Sequence, residues 1–122
     1  MGIDATSLQA WLAAEIDAVE ASLAGQGASC SLDRRREAPP RLKHDEGRYA
    51  ALRLARRSLE RGDPRQELRE AADKARAFLA GDSPLLRDRA WVAYQQGLLE
   101  ALEQALRHTG GHDETPSARR PG

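Results

Sequence analysis

What a chain can bury decides what it can fold into, and this one has little to bury except alanine and leucine. It holds 22 Ala and 16 Leu against one Phe, two Trp and two Tyr, and its β-branched aliphatics are Ile3, Ile16, Val19 and Val92 alone. Strands are built from β-branched and aromatic residues, whereas Ala and Leu are strong helix formers. The expectation is an all-α fold. At 122 residues there is room for one domain with one core.

Four helical segments follow from periodicity and punctuation. The first covers about residues 6–24, opened by a capping box of Thr6 and Gln9 and stopped by "GQG" at Gly25–Gly27. Leu8, Leu12, Ile16, Val19 and Leu23 make its apolar stripe, with Trp11 at the edge. The second, 46–61, turns Tyr49, Leu52, Ala55 and Leu59 one way and most of its arginines the other. Asp63 and Pro64 then read as N-cap and first helical residue of a third helix, 64–80, with a narrow Ala-rich face. "GDSP" repeats that signal at residues 81–84 and opens a fourth helix, 84–107. Together these predict a small four-helix bundle.

Two stretches lack helical period. Residues 25–44, with two Gly and the Pro39–Pro40 pair, read as a long flexible basic linker inside a single helical domain of residues 1–108. Residues 109–122 read as a polar, disordered tail.

"RRSLERGDPRQEL", Arg56 to Leu68, poses a choice between a DNA-reading helix-turn-helix and a plain helical hairpin. A recognition helix offers polar or basic residues to base edges from its N-terminal part. The helix after this turn instead mixes Glu67, Glu70 and Asp73 among its bases, which would repel phosphate. The hairpin is the better reading. Charge is nevertheless uneven along the chain: residues 33–61 carry ten bases against five acids, while residues 1–32 carry four acids and no base, and the whole sums to zero. Either the two regions complement each other within the bundle, or Arg34, Arg35, Arg36, Arg53, Arg56 and Arg57 form a patch for a polyanion such as DNA.

Motifs for chemistry are missing. There is no phosphate-binding glycine loop, no nucleophile elbow, no Cys-x-x-Cys and no Glu-x-x-His of the bundle di-metal kind. His108 and His112 are four apart, but Gly110 and Gly111 separate them, and metal ligands need rigid supports. Cys30 is a lone cysteine, which excludes an internal disulfide and suits a reducing cytoplasm. No run is long and apolar enough for a membrane span. The chain is therefore expected to be non-enzymatic, without cofactor, metal or membrane.

The fourth helix carries the strongest functional signal. Trp91, Val92, Tyr94, Gln95, Leu98, Leu99, Leu102, Ala105 and Leu106 cover nearly half its circumference, and Asp88 projects into that arc. A helix on the surface of a small bundle normally needs a narrower stripe. Either this helix is central, or part of the arc, led by Trp91, Tyr94, Gln95, Leu98 and Leu102, is kept for a protein partner or a second copy in a homodimer. The leading expectation is a cytoplasmic protein-binding module of the adaptor, chaperone or assembly-factor kind. The alternative is a nucleic-acid-associated regulator working through the arginines. The run "ALRLARRSLERGDPRQELREAADKARAFLAGDSP" loosely resembles a tetratricopeptide-type helical hairpin, with Gly62 in the turn, Ala72 and Ala75 in its second helix, and Pro84 beyond. Its spacing departs from that repeat by several residues, and no second copy follows.

Overall fold

The computed structural model describes residues 5–32 and 40–109, with side chains over 6–25 and 40–109. These residues form helix α1 (Ala5–Leu32), α2 (Pro40–Glu60), α3 (Arg65–Ala80), a 3-10 turn (Pro84–Arg87) and α4 (Arg89–His108). The fold is an all-α, four-helix arrangement, and no strand occurs among the described residues.

The helix bounds differ from the sequence expectation in instructive places. α1 is already helical at Ala5, so Thr6 lies inside the helix and not at its N-cap. It then runs through Gly25 and Gly27 to Leu32. Each glycine costs a helix only about 1 kcal/mol relative to alanine, which Ala24, Gln26 and Ala28 around them tolerate. α2 starts at Pro40, where a proline forfeits no hydrogen bond because the first N–H groups of a helix have no internal acceptor. The expected linker 25–44 is thus helical at both ends, and its centre, with Arg34, Arg35 and Arg36, lies outside the described residues. Residues 110–122 lie outside them too. Thr109, expected in a disordered tail, is fully buried and donates its hydroxyl to the Leu106 carbonyl at 2.6 Å.

The fourth helix is broken where Asp88 falls. Ser83 caps the 3-10 turn by accepting from the Leu85 N–H, and Pro84 opens it. Asp88 is then extended, at φ −86° and ψ 105°, and its carboxylate accepts from the N–H groups of Ala90 and Trp91. A carboxylate that seemed misplaced in an apolar arc is the N-cap of α4. α3 differs from the expectation by one residue: buried Pro64, not Asp63, is its N-cap and gives its carbonyl to Leu68 N–H, while Asp63 lies one position further out and accepts from Arg65 N–H at 3.0 Å.

α1 lies antiparallel to α2. Ser22 donates to Asp45, Tyr49 donates to Glu20, and Leu12 sits beside Leu59. Trp11, near the start of α1, stacks on His108 at the end of α4 with ring centroids 4.7 Å apart. α4 therefore ends where α2 ends, and the two run in the same direction. α3 returns the chain between them. In a square up-and-down bundle such parallel helices stand on the diagonal, yet here α2 and α4 make the principal contact, with α1 mainly on α2 and α3 mainly on α4.

Glycine makes that possible. A Cβ on Gly47 would stand 2.0 Å from the Tyr94 carbonyl oxygen, and one on Gly97 would stand 2.0 Å from that of His44. The two backbones touch. Buried Gly47, Ala51 and Ala55 on α2, and Ala93, Gly97, Ala101 and Ala105 on α4, continue the seam at four-residue spacing. Larger aliphatic side chains close the core around it: Leu8, Leu12 and Ile16 of α1, Leu52 of α2, Leu68 of α3 and Leu102 of α4. At the α2–α3 turn, Gly62 takes φ 133°, and buried Ser58 donates to Glu67, both of whose carboxylate oxygens also accept from the single Nη2 of Arg61. Those donors hold the Glu67 carboxyl below its ordinary value, Ser58 first and Arg61 second.

Candidate interaction surface

Among the described residues, the large apolar side chains left exposed are Leu85, at 52 %, and Trp91, at 37 %. They stand six residues apart, on either side of the Asp88 cap, at the end of the bundle where α3 hands over to α4. Trp91 is held from two sides. Its ring stacks on Tyr94 at 5.3 Å with planes 3° apart, and Phe78 of α3 meets it edge-on at 6.3 Å. A three-ring cluster of this geometry is stabilised beyond its buried area and presents a rigid aromatic surface.

The other members of the expected contact set divide by depth. Tyr94, Gln95 and Leu98 are half-buried, Leu98 packing against the core. Leu102 is completely buried and offers no surface to a partner. The reason is the central place of α4, which touches α1, α2, α3 and the 3-10 turn and so spends most of its wide apolar arc internally. Phe78 and Leu85 belong to the exposed end but not to the set drawn from the sequence. A wheel drawn for helix four alone could not include them: Phe78 lies on α3, and Leu85 lies in the 3-10 turn before the break at Asp88.

Arg53, Arg56 and Arg57 of α2 are exposed but unevenly available. Arg53 lies over the Tyr49 ring at 5.7 Å. Arg56 borders a cleft of about 350 Å³ between α1 and α2, whose apolar lining is Leu12, Ala13, Ile16 and Leu59 and whose other polar members are Gln9, Asp17 and Glu60. A phosphate there would meet two carboxylates for each guanidinium. Arg57 faces Glu67, whose carboxyl it helps to hold down.

Arg48 is the half of the charge complement that did form between α1 and α2. Its guanidinium donates to Glu15 of α1 at 2.8 Å and to Glu100 and Gln104 of α4 at 2.5 and 3.0 Å, with only 12 % of the side chain exposed. His44 lies 3.6 Å from the same Glu100. Glu15, an edge carboxylate by sequence, is thereby used inside the molecule.

Among the described residues, no three His, Cys, Asp or Glu gather into a metal-binding group, and no helix is long and apolar enough to cross a membrane. The Cys30 side chain and His112 lie outside the described side chains. No protein-family model matches this chain, and no curated protein or solved structure is significantly similar to it.

Proposed function

We propose that this chain is a non-enzymatic protein-interaction module, of the adaptor, chaperone or assembly-factor kind, that holds a protein partner at its Leu85–Trp91 end. The observation that carries this reading is the exposed pair of Leu85 and Trp91 backed by the Phe78–Trp91–Tyr94 stack. Binding energy at protein interfaces concentrates in a few aromatic anchors whose conformation is fixed beforehand, because ordering a loose side chain costs affinity. Ring stacking and a doubly bonded N-cap at Asp88 fix Trp91 before any partner arrives. The lone Cys30 supports a reducing, cytoplasmic setting.

The test is affinity capture from the native lysate with the full chain, a Leu85→Glu variant and an Arg53→Glu, Arg57→Glu double variant, each with nuclease and washed at low and high salt. A stoichiometric protein retained at high salt by the wild type and the arginine variant, and lost by Leu85→Glu, is the expected result. Retention of nucleic acid alone, weakening steeply with salt and abolished in the arginine variant, would put the polyanion reading in its place.

A further inference from the structure

Polar groups along the line where α1 meets α2 find partners over most of its length. Asp45 receives the Ser22 hydroxyl, Glu20 receives the Tyr49 hydroxyl, Arg53 lies over the Tyr49 ring, and Glu15 receives Arg48. The cleft of about 350 Å³ is different. It lies where α1 begins and α2 ends, at the opposite end of the bundle from Leu85 and Trp91. Its floor is apolar, with Leu12 and Ile16 buried and Leu59 half-buried. Around that floor stand Gln9 and Asp17 of α1 and Arg56 and Glu60 of α2, all exposed. None of these four side chains makes a hydrogen bond or ion pair with any described residue. Arg56 and Glu60 stay apart even though they are four positions apart on one helix, a spacing at which opposite charges commonly pair. Charges of both signs, held apart over an apolar floor, suit a ligand that carries both.

We propose that this cleft binds a small amphipathic zwitterion, a free α-amino acid with a bulky aliphatic or aromatic side chain. The ligand carboxylate meets the Arg56 guanidinium, its ammonium meets Asp17 and Glu60, and its side chain lies on Leu12, Ile16 and Leu59. The charges choose this occupant. An anion alone would face two carboxylates, and a cation alone would face the guanidinium. An uncharged apolar molecule would take water from all three charges and give them no partner. A zwitterion leaves no group opposite its like. Size agrees: a cleft of about 350 Å³ stands at the small end of ligand pockets, which span about 300–1,000 Å³, and holds one amino acid rather than a peptide. The site is separate from the Leu85–Trp91 end and does not depend on the interaction reading above.

Two-dimensional amide NMR of the isotope-labelled full chain, titrated with free leucine and free phenylalanine, tests this. The expected result is saturable shifts centred on residues 9–17 and 56–60. Two analogues each remove one charge: the amino-acid amide keeps only the ammonium, and the N-acetyl amino acid keeps only the carboxylate. Each should bind roughly three- to tenfold more weakly than its parent, the effect of losing one partly exposed charge contact. Arg56→Gln should weaken the free amino acid to the same degree and no longer distinguish it from its amide. An Asp17→Asn, Glu60→Gln double variant should do the same with respect to the N-acetyl form. Circular dichroism checks each variant for helicity, and the analogue series on the wild-type chain needs no variant at all. No saturable shift at millimolar leucine or phenylalanine overturns the proposal. So do shifts centred outside the cleft, or an amide or N-acetyl form that binds as tightly as its parent. None of these outcomes bears on capture through Leu85.

Discussion

Arg48 ties three helices together with one guanidinium. Removing it leaves Glu15 and Glu100 facing each other without their common cation and Gln104 without its donor. Both carboxylates reach solvent in part, at 33 % and 49 % exposure, which softens the loss. Arg48→Ala should therefore destabilise by about 1–3 kcal/mol in urea unfolding, less than a fully buried pair would cost. Arg48→Lys should recover only part, because an ammonium cannot reproduce the guanidinium fork. Glu67 supplies a pH signature. Its carboxyl is held below the ordinary 4.5 by Ser58 and Arg61. A depressed folded value means stability that is present above the unfolded value and is lost as pH falls through the folded one. The acid limb of a stability–pH curve should fall less steeply below about pH 4.5 in Glu67→Gln than in the wild type, an outcome that thermal melts at several acid pH values would check.

Two glycines separate the reasons an element needs one. Gly62 has open space around its missing side chain but a backbone at φ 133°, and Gly97 sits in helical backbone with no space at all. Gly62→Ala should cost about 1–2 kcal/mol through strain alone. Gly97→Ala has to part α2 from α4 and should cost about 3 kcal/mol or more, with a lower melting temperature to match. Equal effects at the two positions would mean that the helices do not cross as described. Elements are also where the limits of the sequence show. The stripe of Leu8, Leu12, Ile16 and Val19 and the Gly-Asp-Pro and Gly-Asp-Ser-Pro breaks were legible, because each is decided by residues within one or two turns. The seam through Gly47 and Gly97 was not. A glycine in a helical run carries only a weak local penalty, and nothing nearby distinguishes one that admits a distant backbone from one that does nothing. The break at Asp88 was half legible, since its carboxylate was visibly out of place in the apolar arc.

At the scale of the molecule the same limit explains what became of the candidate surface. Trp91 and Tyr94 stand out in the sequence because aromatic residues are rare in this chain. Leu102 was included because a wheel cannot tell an arc facing solvent from one facing three helices, and the central position of α4 is a property of the whole fold. The charge imbalance resolved in a similar way: Arg48 met Glu15 inside, while Arg53, Arg56 and Arg57 stayed outside. Because α1 and α3 flank the α2–α4 pair and barely touch each other, neither has a core without it. A chain ended after Gly81 should lose most of its helical signal in circular dichroism, whereas independently stable helices would keep it.

The crossing of Gly47 and Gly97 also bears on how the chain reaches this state. The two residues are fifty positions apart, with all of α3 lying between them in the chain. Closing so large a loop costs entropy before any contact across it can form, so the step that joins α2 to α4 is expected to come late and limit the folding rate. Substitutions along the seam should then speed unfolding and slow folding together, while changes to the α1 stripe act on unfolding alone. The close approach that gives the fold its centre is, in time, its latch.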